Sequence, residues 1–427
     1  MNAKNPTQAP QAYSTSPFPA LRRPKIKTGI LTFSSLIFVL IWIGYLLLSP
    51  FYVFHSGLPQ PADLLLALGL APALVLAVLN HRGQMSAAHI SGGLFVILTS
   101  LINLIYYMHI GDRSFIAPSM FYVFNFATFC FIVFLFKQAP VFLNRMTYMS
   151  VAVIILIQLL YVLGLAEDGV RHTGTFNNPN QLAYWSLLMG AILIVLKRGS
   201  KINLFDLILF TALAYIQTEA LSKAGMISFG VLVLFVGFQP VTSKKLKAVF
   251  VLGLLTFLIT EVTAPQQVKN WVVAADNIGA AVHRLGKIGV DVDDNPMVRG
   301  YSRLIEYPQY LLTGAGEGAH WRFNARQELH SGLATIIFSY GILGFLLFGG
   351  FLTFVFMRLP LYYTLLLMPI VLYGLTHQNF RNTGFWIFLA LCFSYHFFDK
   401  NFSDDKASKK KQPKVIHPLD LQMGQRE

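Results

Sequence analysis

The chain has 427 residues, of which 55% are hydrophobic and only 12% charged, and its formal net charge is +14. So apolar a composition excludes a water-soluble globule and points to a polytopic membrane protein. The positive charge would suit nucleic acid, but its distribution along the chain argues against that.

The first twenty residues are rich in Pro, Ser, Gln and Ala and lack a signal-peptide hydrophobic region, so 1–28 is expected to be a disordered cytoplasmic leader. Apolar runs of about 16 to 24 residues then recur, the length a helix needs to cross the hydrocarbon core. They lie near 29–49, 62–79, 88–107, 115–136, 147–165, 180–196, 203–220, 224–238, 247–262, 331–356, 361–376 and 383–398. The runs are continuous, without the alternation of a β-barrel strand, so the spans are expected to be helical. The predicted fold is therefore all-α, with about twelve transmembrane helices. An N-terminal bundle over 29–262 and C-terminal helices over 331–398 flank a long loop with amphipathic helices over 263–330, and 399–427 is a basic cytoplasmic tail.

With the N-terminus in the cytoplasm, 22 of the 33 Lys and Arg residues fall inside and 11 outside, and 7 of those 11 belong to the one long loop. By the positive-inside rule both termini are cytoplasmic, and the excess charge is mostly a topology signal rather than a nucleic-acid footprint. Cys130 and Cys392 lie inside apolar spans and suggest neither a disulfide framework nor a zinc site. Asn103, Asn125 and Gln158 are the main polar groups inside spans, too few for a transport pathway through the bilayer centre.

Four outer segments collect the unusual residues. The first, Arg171 to Gln181, carries turn-forming Gly174, Asn178 and Pro179 with several hydrogen-bonding side chains, among them Asn177 and Asn180. Asn180 reads as the cap of the following helix, whereas the outward cation Arg171 runs against the topology bias. The second is a tight turn from Thr218 to Gly225, where Lys223 either pairs with Glu219 four residues before it or serves a ligand.

The third, from about Thr263 to Leu329, is too long for an ordinary connection. Val268, Trp271, Val272, Ala275, Ile278, Val282, Leu285 and Ile288 recur at helical spacing and predict an amphipathic surface helix, which the run Asp291 to Pro296 ends. Those carboxylates lack the ligand spacing of a calcium loop, so a solvated turn is expected and no metal. Arg299, Arg303 and Glu306 fall at i, i+4 and i+7 of a possible helix, an anion site unless Glu306 neutralises it. The glycines of Gly314-Ala-Gly-Glu-Gly318 are a weak sign of phosphate contact. Beyond them, Arg322, Arg326 and His330 at i, i+4 and i+8 would form one stripe if the stretch is helical; a basic surface facing lipid phosphates is the other reading. The fourth segment, His377 to Asn382, adds His377 and Arg381, which line the same cleft or anchor span ends.

His330 and Ser331 stand where the long loop re-enters the membrane, and nine residues later come Gly341 and Gly344, giving H-S-x9-G-x-x-G. An imidazole at this boundary either caps a helix or takes a proton from a hydroxyl. Arginine forks bind phosphate oxygens bidentately, which suits a diphosphate leaving group and hence a polyprenyl-diphosphate carrier at the outer surface.

These residues carry a resemblance. R-x-x-G-x-F-x-N-P-N at Arg171 to Asn180, S-K-A-G at Ser222, the long outer loop with G-A-G-E-G, and H-S-x9-G-x-x-G from His330 are similar to the O-antigen ligase and Wzy-type polymerase superfamily of bacterial envelope glycan enzymes. The likeness runs from the fifth predicted span to about Gly344, and elsewhere rests on general architecture. It implies a GT-C-like, metal-independent glycosyltransferase of the bacterial inner membrane, needing no cofactor, with its active site on the periplasmic face. The donor would be undecaprenyl-diphosphate-linked glycan and the acceptor another glycan or lipid A core. Membrane lipids, a flippase and a chain-length regulator are implied as further partners. His330 would be catalytic, with Arg171, Lys223, Arg299, Arg303, Arg322 and Arg326 at the donor diphosphate, and Asn177, Asn180, Glu219, Glu306, His377 and Arg381 in support. Where the family often has Ser-Arg this chain has Ser222-Lys223, which keeps the charge and loses the fork.

The expected activity is polymerisation of exopolysaccharide or O-antigen repeat units. An O-antigen ligase is the nearest alternative, and a lipid-linked glycan flippase or a structural scaffold are alternatives of other classes.

Overall fold

A computed structural model describes residues 33–81, 85–164, 171–198, 200–238, 285–286, 295–325, 328–395 and 397. Most of the predicted amphipathic helix, the 291–294 carboxylates, Arg326, the 247–262 span, the leader and the basic tail lie outside the described residues.

The described residues are helical, with no strand among them. In chain order the membrane-type elements are α1 (Phe33–Leu48), α2 (Pro61–His81), α3 (Ala87–Ile110), α4 (Ile116–Gln138), α5 (Pro140–Gly164), α6 (Pro179–Lys197), α7 (Leu204–Ala220) and α8 (Lys223–Phe238). After the short outer helices α9 (Ser302–Glu306) and α10 (Tyr310–Thr313) come α11 (Gly332–Phe356), α12 (Leu361–Leu365), α13 (Leu367–Gly374) and α14 (Thr383–Phe393). Among the described residues, α3, the Arg113–Gln138 segment, α5, α6 and α11 are long and apolar enough to cross a membrane, and several other apolar helices are shorter. The described residues thus have the all-helical character of a membrane protein.

The distribution of burial explains why these helices need a bilayer. On α3 the residues Ile90, Leu94, Ile97, Leu101, Leu104, Ile105 and Met108 form an outward apolar stripe, the reverse of a soluble helix. By contrast α6 is enclosed on all sides, every residue from Leu182 to Leu196 being buried. Its N-cap is Asn178, whose side chain accepts from the Asn180 amide at 2.8 Å, so the cap lies two residues before the one expected. Pro179 can occupy the first turn because its missing N–H would have had no helical partner. At the core Phe95, Tyr122, Tyr340 and Phe348 pack edge-on or tilted, joining α3, α4 and α11.

The most consequential local feature is a break inside α11. Gly341 has φ 66° and ψ −174°, a conformation left almost entirely to glycine. The interruption leaves the carbonyls of Phe338 and Ser339 to accept from the amides of Ala315 and Gly316, each at 2.9 Å. The outer loop is thereby stitched to the broken helix. A β-carbon on Gly341 would stand 2.4 Å from the Leu312 carbonyl oxygen, and one on Gly344 would stand 2.4 Å from the β-carbon of Tyr340. The two glycines of H-S-x9-G-x-x-G therefore let the loop dock and let Tyr340 turn inward.

Candidate functional site

Ser331 caps α11, its hydroxyl accepting from the Ala334 amide at 3.3 Å and donating to the Gly374 carbonyl at 3.2 Å. His330, immediately before it, is half-buried, and its own amide donates to the Arg299 carbonyl at 3.0 Å. The Nδ1 atom lies 2.8 Å from the Glu328 backbone carbonyl. A carbonyl can only accept, so in the neutral ring Nδ1 carries the proton and Nε2 presents a lone pair.

One flank of His330 is cationic. The Arg299 guanidinium donates to the Thr376 carbonyl at 2.6 Å, and Tyr301 donates to the Leu375 carbonyl, fastening the loop to the end of α13. Arg171 donates to Asn180 Oδ1 at 2.9 Å and to the Ala220 carbonyl at 3.3 Å, joining the first and second outer segments. Tyr373 donates to the Asn180 carbonyl at 2.8 Å and stacks on His377 with ring centres 4.7 Å apart. Burial, then the charges of Arg299 and Arg171, lower the His377 pKa from 6.5 to about 3. His377 is thus a neutral member of a cationic rim.

A second group of residues near His330 is acidic. Glu317, only 3% exposed, accepts from the Tyr340 hydroxyl at 2.7 Å and from Gln378 Nε2 at 3.0 Å. It also faces Arg381 Nε at 3.4 Å, and Arg381 in turn pairs with the Glu328 carboxylate. Burial raises the Glu317 pKa, against the pull of Arg381. At Glu328 burial acts in the same sense but is overcome, chiefly by Arg381, and the carboxyl is held below its usual range. Burial works against the charge of Arg381, yet the two carboxylates hold its pKa above the ordinary arginine value.

Beside Glu317 and Glu328 lies a cavity of about 10 Å³, lined also by Arg303, His320, Phe323 and Thr335. That is room for roughly one water. Burial lowers the His320 pKa from 6.5 to about 4, and burial also lowers that of Arg303 against the pull of Glu328 and Glu306.

Several sequence expectations change here. Arg299 and Arg303 do not share a helical face: α9 begins only at Ser302, after Gly300 at φ 86°, so Arg299 turns to α13 and Arg303, 4% exposed, turns to the cavity. Glu306 is exposed at the end of α9. No helix carries Arg322 toward His330, because a single 3-10 turn over His320–Phe323 ends at Asn324 with φ 51°. The Arg322 guanidinium instead donates to the carbonyls of Ala315 at 2.7 Å and Ala319 at 3.2 Å and sits 4.9 Å from the ring centres of Tyr106, Phe115 and Phe323. Nor does the G-A-G-E-G loop offer a phosphate cradle, since the amides of Ala315, Gly316, Glu317 and Ala319 all donate within the protein.

Glu219 is buried, with a carboxylate oxygen 3.7 Å from His172 Nε2, in the turn that receives Arg171. Lys223 starts α8 just beyond it, half-buried. Asn177 donates to the Phe54 carbonyl at 2.7 Å and ties this segment to the first outer loop. The missed residues are Glu317, His320 and Glu328. Glu317 carried one usable signal, a carboxylate enclosed by glycines.

The two half-buried histidines set an acid limit on stability. Unfolded histidines take up protons below about 6.5, whereas His377 and His320 in the fold do so only near 3 and 4. The unfolded chain therefore binds more protons in that window, and stability present above about pH 6.5 is lost as pH falls toward about 3. The thermal midpoint in detergent is expected to drop on acidification, and less steeply in His377→Gln. Equal slopes would count against a neutral His377.

No protein-family model matches the chain, and comparison with curated proteins brings out no match.

Proposed function

We propose that the chain is a membrane glycosyltransferase that polymerises undecaprenyl-diphosphate-linked repeat units of an exopolysaccharide or O-antigen. In this reading it sits in the bacterial inner membrane with about twelve spans and cytoplasmic termini, and it acts on the periplasmic face as the resemblance to the O-antigen ligase and Wzy-type superfamily implies. The observation that carries the proposal is His330. Its Nδ1 is tied to the Glu328 carbonyl, its Nε2 lone pair is left for a hydroxyl, and Arg171, Arg299 and His377 form a rim on one flank.

The chemistry follows from those positions. The donor diphosphate lies against Arg171 and Arg299, with Lys223 nearby in sequence to the Arg171 docking turn. The bond between the anomeric carbon and the diphosphate oxygen breaks, and the electron pair leaves with undecaprenyl diphosphate. The acceptor hydroxyl bonds to that carbon and passes its proton to His330 Nε2. Fixed guanidinium groups stabilise charge as it develops on the leaving group. A pathway through the bilayer centre has little support, because Asn103 and Asn125 are engaged with Glu317 and Arg381.

The test is reconstitution of the purified protein with repeat units extracted from the producing cell as their undecaprenyl diphosphates, with and without lipid A core. A ladder of lengths without core, undiminished in EDTA, is the expected outcome. A single core-linked product would favour the ligase, and no product in either arm would count against the enzyme reading.

A further inference from the structure

We infer that Glu317 and Glu328, joined through Arg381, position His330; the inference rests on His330 being the proton acceptor. The orientation of the imidazole depends on one backbone carbonyl, that of Glu328 at 2.8 Å from Nδ1. The Glu328 side chain is anchored by Arg381, which adds to the bonds that the His330 amide and the Leu329 carbonyl give the same segment. Arg381 is in turn held by Glu317, a carboxylate only 3% exposed.

Glu317 and Arg381 are both tied to helices. The Glu317 amide donates to Asn103 Oδ1 on α3 at 2.8 Å, its carboxylate accepts from Tyr340 on α11, and the Arg381 carbonyl accepts from Asn125 Nδ2 on α4 at 2.7 Å. Asn103 also donates to the Tyr340 hydroxyl at 3.2 Å, so the two anchors of Glu317 support each other. A buried carboxylate is costly unless paired and hydrogen-bonded, and removing its partner leaves the charge uncompensated. The economical reason for two carboxylates on one guanidinium is rigidity: the guanidinium bridges Glu317 and Glu328 and so ties residue 328 to the membrane helices that hold Glu317 and Arg381. Sites held by rigid supporting residues keep the reacting geometry that loops alone lose.

Neither carboxylate belongs to the cationic rim, so their replacement should slow proton transfer without weakening donor binding. In vesicles supplied with the extracted lipid-linked repeat units, Glu317→Gln and Glu328→Gln are expected to lose kcat on the order of a hundredfold, the effect of misplacing a reacting group by about 1 Å, with KM for the donor unchanged. Arg381→Lys, which keeps the charge and loses the fork, is expected to recover part of the loss seen in Arg381→Ala. A readout independent of turnover is ¹⁵N solid-state NMR of histidine-labelled protein, with the His330 signal assigned by its absence in His330→Ala. The wild type is expected to show the Nδ1-protonated ring, and Glu328→Gln a mixture of tautomers.

If both glutamine variants keep wild-type kcat while His330→Ala is inactive, the positioning role falls and the role of His330 stands. An unchanged tautomer in a variant that has lost kcat overturns it equally. Activity in His330→Ala would remove the reading beneath it. If a glutamine variant fails to accumulate, Arg381→Lys carries the same kcat and NMR comparison.

Discussion

Replacing His330 by alanine is expected to lower turnover by about 10²- to 10⁴-fold, the usual contribution of a general base, while the protein accumulates and melts as the wild type does. The separation of activity from stability follows from how little of the fold the side chain holds. Its own amide, not its ring, bonds to the Arg299 carbonyl, and Ser331 rather than His330 caps α11. Truncation removes one ring hydrogen bond, to the Glu328 carbonyl, from a half-buried position. Initial rates in vesicles, set beside thermal melts of the same preparations, check both halves. Should the residue be only a helix-end group, rate and melt would move together or neither would move.

Gly341→Ala is expected to do the opposite, removing the folded protein itself. Its φ of 66° with ψ of −174° lies in a region essentially confined to glycine, which costs a side chain about 1–3 kcal/mol. To that is added a clash which no rotamer can relieve, because the new carbon would meet the Leu312 carbonyl oxygen at 2.4 Å and the Gly314 nitrogen at 2.9 Å. Relief requires the outer loop to move off α11, breaking the Ala315 and Gly316 hydrogen bonds that seat Glu317. The same substitution at Gly349, where a β-carbon would meet nothing within 4 Å, is the control, and there alanine should raise helix stability by up to about 1 kcal/mol. Yield and melting temperature of the two variants decide the point: a Gly341→Ala protein as stable as Gly349→Ala would mean the break is not needed.

Hydropathy made the helical, membrane-type character legible, since long continuous apolar runs admit few other structures. The break in α11 was not legible as such. Two glycines in an apolar helix suggest close packing first, and only the docked loop explains why one of them has positive φ. His330, Arg171 and His377 were visible because polar and cationic groups on the outer face run against composition. Helical arithmetic misled over Arg299, Arg303 and Arg322, because Gly300 and Asn324 turn the backbone before any helix can carry a stripe. Glu317 and Glu328 were hidden for a different reason. Their partner Arg381 lies more than 50 residues further on, and such long-range pairing has no periodic signature. Asn103, which reads as one more interior polar group satisfied by a neighbour, is the support beneath Glu317.

The most direct measurement is the release of undecaprenyl diphosphate by the purified wild-type protein, counted against glycosidic bonds formed from lipid-linked repeat units in vesicles. One carrier released per bond, abolished in His330→Ala, is the predicted result. Intact donor after long incubation, or transfer across the bilayer without any carrier release, would contradict a glycosyltransferase built around His330.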